Sequence, residues 1–125
     1  MMKKKVLMVD DEETLLQIIK LNLEATGRYE VKIETKGSAG LQAARAFKPD
    51  MIFLDIMMPD MEGSEVAQQI RSDVGLKNTP IVFLTATVTQ SEIGSNGALI
   101  GGLQFLAKPV TVQQLVNCIE ANAGK

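Results

Sequence analysis

Asp10-Asp11, Asp55, Thr85 and Lys108 are the residues whose types and spacing could do chemistry in this chain. They fall at the ends of short apolar runs: "KVLMVD" (5–10), "DMIFLD" (50–55), "TPIVFLTA" (79–86) and "LQFLAKP" (103–109). A carboxylate can act as a nucleophile and form an acyl phosphate. A hydroxyl and an ammonium can hold phosphoryl oxygens. Three carboxylates brought together need cations, because two like charges about 4 Å apart repel by ~1 kcal/mol in bulk water and ~4 kcal/mol at an effective dielectric of about 20. Lys108 supplies one positive charge, and a divalent ion would balance the rest. Oxygen donors in a chain without histidine point to a hard ion, Mg2+ or another such as Mn2+. An ion of that kind keeps open water positions that phosphoryl oxygens can fill. Phosphoryl transfer needs mainly positioning and charge neutralisation, which this set could supply.

Taken singly, each residue has an ordinary reading. Asp10-Asp11 could merely cap a helix and favour its dipole. Asp55 could be a plain strand end, Thr85 a structural hydroxyl and Lys108 a solvated surface lysine. The chemical reading rests on their convergence, and so on the elements that carry them.

Those elements alternate. "KVLMVD" is a continuous apolar run, as expected of a strand buried on both faces. Residues 12–27 carry Leu15, Leu16, Ile18, Ile19 and Leu23 at helical spacing, with Asp11, Glu12 and Glu13 at the start and Gly27 as a stop. "YEVKIET" (29–35) alternates with period two and predicts a half-exposed edge strand. Ser38 is placed to cap a helix through about Phe47, which Pro49 ends. Residues 50–55 predict a third strand, 61–73 a third helix, 79–86 a fourth strand and 103–109 a fifth. Thr111 is placed to cap a final helix over 111–122. Segment 87–102 must hold the fourth helix, although Gly94 and Gly97 within it each cost about 1 kcal/mol in a helix interior. The pattern predicts an α/β fold: (βα)5, doubly wound, a flavodoxin-like three-layer sandwich around a five-stranded parallel sheet in order 2-1-3-4-5. Strands 1 and 3 then lie side by side at the topological switch point, and ligands bind beyond the carboxyl ends of such strands.

Four stretches, "VLMVDDEETL", "DMIFLDIMMPDMEGSEV", "PIVFLTA" and "FLAKP", in this order and spacing resemble the marks of the response-regulator receiver domain of two-component signalling. The resemblance spans essentially the whole chain and implies a single receiver domain over residues 1–125. It implies that Asp55 is the phosphoacceptor. Asp10 and Asp11 would hold Mg2+ together with Asp55 and the backbone carbonyl of Met57. Thr85 would be the switch hydroxyl, the Ala86 backbone and Lys108 would bind the phosphoryl group, and Phe105 would be the switch aromatic. Pro59 and Gly63 match the turn and the start of the third helix, and Pro109 a proline preceded by a cis bond. The implied mechanism is transfer from a phosphohistidine on a sensor histidine kinase or a histidine phosphotransfer protein. Repacking of strand 4, helix 4, strand 5 and helix 5 toward an unknown output protein or domain would follow. A phosphorylation-linked dimer is a further option. The resemblance implies a signalling domain that takes part in its own phosphorylation and slow dephosphorylation rather than an enzyme.

Composition narrows the field. The chain has 125 residues, net charge −2, 46% apolar and 22% charged residues, and one cysteine, which suits one domain with one core. Lys3-Lys4-Lys5 is its longest basic run, too little for direct nucleic-acid binding by this chain. No apolar run approaches the ~18 residues of a membrane span, and the expected location is cytoplasmic. Met51, Met57, Met58 and Met61 read as packing and loop material, not a soft-metal site. A haloacid-dehalogenase-like phosphatase would need an aspartate where this chain has Met57. A flavodoxin would need a Ser/Thr/Gly-rich phosphate loop where it has "DDEET", and no P-loop motif occurs. The standing alternative is a phosphorylation-independent interaction module on the same scaffold, against which the complete acidic set argues. The sequence departs from the family's pattern at Gly101-Gly102-Leu103-Gln104 and at Val110, on or near the output face.

Overall fold

The computed structural model describes residues 3–86, 98–100 and 103–123. In chain order the elements are β1 (Lys4–Val9), α1 (Glu13–Ala25), β2 (Tyr29–Glu34), a 3-10 turn (Gly37–Ala39), α2 (Gly40–Phe47) and β3 (Met51–Asp55). Then come α3 (Gly63–Arg71), β4 (Ile81–Thr85), β5 (Ala98–Ile100), β6 (Leu103–Ala107) and α4 (Val112–Ala123). The strands lie in the order β2-β1-β3-β4-β6-β5. The first five in that row run parallel, which is the predicted 2-1-3-4-5 sheet.

Strand alternation sorts the core into two layers. Val6, Met8, Met51, Phe53, Val82, Leu84 and Leu106 face Leu16, Ile19 and Leu23 of α1 and Leu115 and Ile119 of α4. Their neighbours Leu7, Val9, Ile52, Leu54, Ile81 and Phe83 face Ala43 and Ala44 of α2 and Val66, Ala67 and Ile70 of α3. All five residues of β3 and of β4 are buried, so both strands are continuous apolar runs until their last residue. β2 alternates as an edge should, with Tyr29 and Val31 inside and Glu30 and Lys32 outside. Burying a side chain the size of Phe53 or Ile70 stabilises by roughly 1.5–3 kcal/mol, and these layers hold the strand ends in register.

Local signals decide the element ends. Gly27, at φ +77°, follows α1 where only glycine adopts that backbone without cost. At α4, Thr111 Oγ1 accepts from the Gln114 N–H at 3.0 Å, and the Gln114 side chain accepts from the Thr111 N–H at 2.8 Å. This reciprocal capping box satisfies two otherwise orphan donors.

Two expectations are corrected. Ser38 makes no side-chain cap to α2, which is entered through the 3-10 turn and Ala39. The Gly37 and Ser38 N–H groups donate to the Asp60 carboxylate at 3.1 and 3.0 Å, and the Ser38 side chain is drawn to the same carboxylate, a strong charged acceptor. The second correction lies within 87–102. Residues Ala98–Ile100 form a strand, not helix, and pair antiparallel with β6 through Ala98↔Phe105, Leu99↔Gln104 and Ile100↔Leu103. Backbone pairing with β6 gives these three residues the partners that a helix would otherwise supply. The rest of the expected fourth helix, 87–97 and 101–102, lies outside the described residues.

Candidate functional site

The parallel register delivers the polar strand ends to one edge. Val9 pairs with Leu54, so Asp10 and Asp55 follow side by side on adjacent strands. Asp55 pairs with Leu84 and Thr85 with Ala107, which places Thr85 one step along and Lys108 just beyond β6. The Lys108 N–H donates to the Thr85 carbonyl at 2.8 Å, continuing the ladder into the site. The Lys108–Pro109 peptide bond is cis.

Asp10, Asp11 and Asp55 each offer a carboxylate oxygen, and these oxygens lie within 4.8 Å of one another. Asp10 and Asp55 are buried, whereas Asp11 is exposed. Lys108 Nζ lies 2.7 Å from Asp10 Oδ2, 3.0 Å from Glu12 Oε1 and 3.4 Å from Asp55 Oδ1. The contact with Asp10 Oδ2 is a close ion pair, and among the described residues that buried oxygen has no further hydrogen-bond partner. Asp10 Oδ1 accepts from the Glu12 N–H at 3.0 Å.

The loop after Asp55 is tied down along its length. The Ile56 N–H donates to the Leu84 carbonyl at 3.0 Å, and the Gly63 N–H to the Ile56 carbonyl at 2.8 Å. Gly63 is required by close approach, because a Cβ there would collide with the Asp55 carbonyl. Met58 is buried while Met57 is exposed, and the Met57 N–H donates to the Asp55 carboxylate. Pro59 is exposed in the turn of this loop.

A cleft of about 220 Å3 results, lined by residues that include Asp11, Asp55, Met57, Thr85, Ala86 and Lys108. Its electrostatics are strained toward excess negative charge. Burial, and then the charge of Asp10, push the Asp55 carboxyl up to about 6, against the pull of Lys108 and the Met57 N–H. Burial likewise raises Asp10, although Lys108 and the Glu12 N–H oppose it. Burial disfavours the Lys108 ammonium, but the Asp10 and Glu12 carboxylates outweigh it and hold the amine well above its ordinary value. Burial is the first cause of both raised carboxyls, and the Lys108 ammonium offsets it only in part. The donor set is all oxygen and the acidic cluster could hold a metal ion, as a hard divalent cation requires.

The sequence-predicted residues Asp10, Asp11, Asp55, Met57, Thr85, Ala86 and Lys108 are thus brought together. Phe105 is not at the cleft: half-buried, it packs on Phe83 with ring centroids 5.5 Å apart, on the α2–α3 side of the sheet. Glu12, read from the sequence only as part of a helix start, belongs to the site through Lys108. Its only signal is its place directly after the Asp-Asp pair. Asp60, also overlooked, ties the Asp55 loop to residues 37–38. Cys118 lies on the buried face of α4, and burial pushes its thiol up to about 11. Among the described residues no helix is long and apolar enough to cross a membrane.

A family profile described as "Response regulator receiver domain" matches residues 6–120. The nisin biosynthesis regulatory protein NisR of Lactococcus lactis is 39% identical over 94% of this chain and 49% of its own length. The polar-differentiation response regulator DivK of Brucella anthropi is 29% identical over 98% of both chains. The chain spans about half the length of several relatives it matches. Among solved structures, the chemotaxis response regulator CheY4 of Vibrio cholerae superposes with a TM-score of 0.78 at 29% identity, over 96% of this chain and 98% of that one.

Proposed function

The chain belongs to the response regulator receiver domain family, and from that premise we propose that Asp55 accepts a phosphoryl group and that the domain switches shape in response. One observation carries the reading: the Asp10, Asp11 and Asp55 oxygens share one site within 4.8 Å, over the ends of adjacent strands, with Lys108 bridging Asp10 and Asp55.

In this reading a carboxylate oxygen of Asp55 attacks the phosphorus of a phosphohistidine on a kinase or phosphotransfer protein. The P–O bond forms as the P–N bond breaks, and the electron pair leaves on the imidazole nitrogen. The chain has no histidine, which fits an acceptor and not a donor. Asp10, Asp11, Asp55 and the Met57 carbonyl would hold Mg2+, which supplies charge neutralisation for the transferring phosphoryl oxygens. Thr85 Oγ1, the Ala86 N–H and Lys108 Nζ would donate to those oxygens, and all three residues line the cleft. Water later attacks the phosphorus, which releases phosphate and regenerates the Asp55 carboxylate.

The switch would begin at Thr85, drawn toward the new phosphoryl group. Thr85 is buried at the end of β4, so its displacement leaves room that the neighbouring Phe105 ring can enter. β4, β6 and α4 would then present an altered face to an output partner. The relatives include both proteins about twice this chain's length and DivK, of matching length, so the output partner is either a second domain or a separate protein.

The test is labelling by acetyl phosphate with Mg2+. Wild type takes one acid-stable, base-labile phosphoryl group, and Asp55→Asn takes none. Mg2+-dependent labelling that persists in Asp55→Asn overturns the assignment.

A further inference from the structure

Asp60 stands five residues beyond Asp55, is exposed, and touches none of the residues that converge on the cleft. Its carboxylate nevertheless has two well-placed donors. Oδ1 accepts from the Gly37 N–H at 3.1 Å and Oδ2 from the Ser38 N–H at 3.0 Å. Those amides belong to the turn that enters α2, 22 and 23 residues away in sequence. The apolar packing repeats the link. Gly37 is buried, and a Cβ placed on it would stand 3.0 Å from Met61 Cβ, 3.1 Å from the Met61 carbonyl and 3.2 Å from Met58 Cε. A Cβ at position 37 would therefore press on the loop, which must give by a few tenths of an ångström.

Between Asp55 and Gly63 the chain is thus held at both ends and in the middle. Ile56 is pinned to β4, Gly63 to Ile56, and residues 58–61 to the turn at 37–38 through Asp60 and Gly37. Met57 lies in the short span between these anchors, and its side chain is 67% exposed, so packing of that side chain cannot fix its backbone. What fixes it is its own N–H bond to the Asp55 carboxylate together with the anchors on either side.

We propose that Asp60, seated on Gly37, is a positioning residue that sets the cation affinity of the crevice by fixing the backbone at Met57. This rests on the reading that Asp10, Asp11, Asp55 and the Met57 carbonyl hold Mg2+. Groups that orient a ligand without touching the metal typically change affinity by about 10–100-fold when removed. Asp60 reaches one ligand of the set only, through the backbone, and belongs at the low end of that range.

The experiment is calorimetric titration of the whole chain with MgCl2, paired with urea unfolding in the absence of divalent ions. Asp60→Ala is expected to weaken Mg2+ binding about tenfold. Asp60→Asn, which keeps an acceptor but loses the charge, falls between Asp60→Ala and wild type. Gly37→Ala attacks the same seat from the other side and weakens binding as well. Wild-type Mg2+ affinity in Asp60→Ala overturns the proposal, and so does a lowered urea midpoint with unchanged affinity, since that is what a merely structural clamp gives. Absence of Mg2+ binding by wild type overturns the metal-site reading itself and the proposal with it.

Discussion

Two charged clusters sit at opposite ends of the same sheet and behave in opposite ways. At the amino end, Glu120 of α4 accepts from the Tyr29 hydroxyl at 2.6 Å and from Lys4 Nζ at 3.0 Å. Those partners, Tyr29 first, hold the Glu120 carboxyl below its ordinary value. Burial and the Glu120 bond push the Tyr29 hydroxyl up to about 12. Glu120 and Tyr29 are each stabilised in the form they adopt at neutral pH. At the carboxyl end, Asp10 and Asp55 are both raised, burial being the first cause, so the form present at neutral pH is disfavoured. A cluster that ties strands to a helix lowers the energy of its charges. Perturbed carboxyls of this kind gather at functional sites. The contrast between the two clusters can be broken by experiment.

Lys108→Ala is expected to have the largest effect. Its ammonium is the partner of buried Asp10, whose side chain is 1% exposed, and removing one member of a buried pair typically costs about 3–5 kcal/mol. The crevice opens to solvent, so we expect ~2–4 kcal/mol in urea unfolding without divalent ions. Mg2+ should still bind and recover part of that loss, while phosphorylation no longer produces the full shape change. A full phosphorylation-induced change in Lys108→Ala would remove the lysine from the switch.

Asp55→Asn should act in the other direction. The folded carboxyl titrates near 6 and the unfolded one near 3.8. Folding therefore favours the protonated form, and the contribution to stability present below the unfolded value is lost as pH rises through about 6. Asparagine escapes this loss. Asp55→Asn should match wild type near pH 4 and exceed it by about 1–2 kcal/mol at pH 7 in metal-free buffer, as read by urea unfolding across that range. Glu120 has the opposite sign, its contribution being lost as pH falls through its lowered folded value. If Asp55→Asn is the less stable protein at pH 7, the crevice is not strained and the comparison fails.

How much of this was legible in the sequence follows from range. Strands buried on both faces write themselves as apolar runs, so Asp10, Asp55 and Thr85 could be seen at their ends, and the parallel order followed from alternation. The Thr111 cap was legible because its partner Gln114 is three residues away. Ser38 misled because the carboxylate that draws both its amide and its side chain, Asp60, is 22 residues on and belongs to another loop. Glu12 was hidden because its lysine is 96 residues away. β5 was hidden because three residues are too few to show a period, and Ala98–Ile100 is strand only by pairing with β6. Local signals set the elements, and the ends of the sheet set the site, whereas the clamps between loops needed coordinates.

Tyr29→Phe probes the amino-end cluster. It removes a hydroxyl whose ring is wholly buried and leaves Glu120 with Lys4. The expected cost is about 1 kcal/mol, the net worth of one hydrogen bond to a charged group at a partly exposed site. Labelling by acetyl phosphate should be unchanged. A changed labelling rate would show that the two ends are coupled, which the comparison denies.

Glu12→Gln should have the smallest effect on stability and is the sharpest test of which carboxylates the crevice needs. Glu12 holds Lys108 at 3.0 Å, as closely as Asp10 does within a few tenths of an ångström, but its side chain is 55% exposed where that of Asp10 is 1% exposed. Water can replace the contact, so its loss should cost only a few tenths of a kcal/mol, as for other exposed ion pairs. Its other role lies in the backbone, where the Glu12 N–H bonds Asp10 Oδ1, and glutamine retains that bond. What changes is competition for the lysine. With Glu12 neutral, Lys108 is shared by two carboxylates instead of three and is more available to a phosphoryl oxygen on Asp55. Glu12→Gln should therefore unfold in urea within about 0.5 kcal/mol of wild type while its phosphorylated form hydrolyses at a different rate, followed by loss of label after donor removal. A variant that loses as much stability as Lys108→Ala would show that Glu12 is a structural partner of the lysine, and that the crevice is better satisfied than its two raised aspartates indicate.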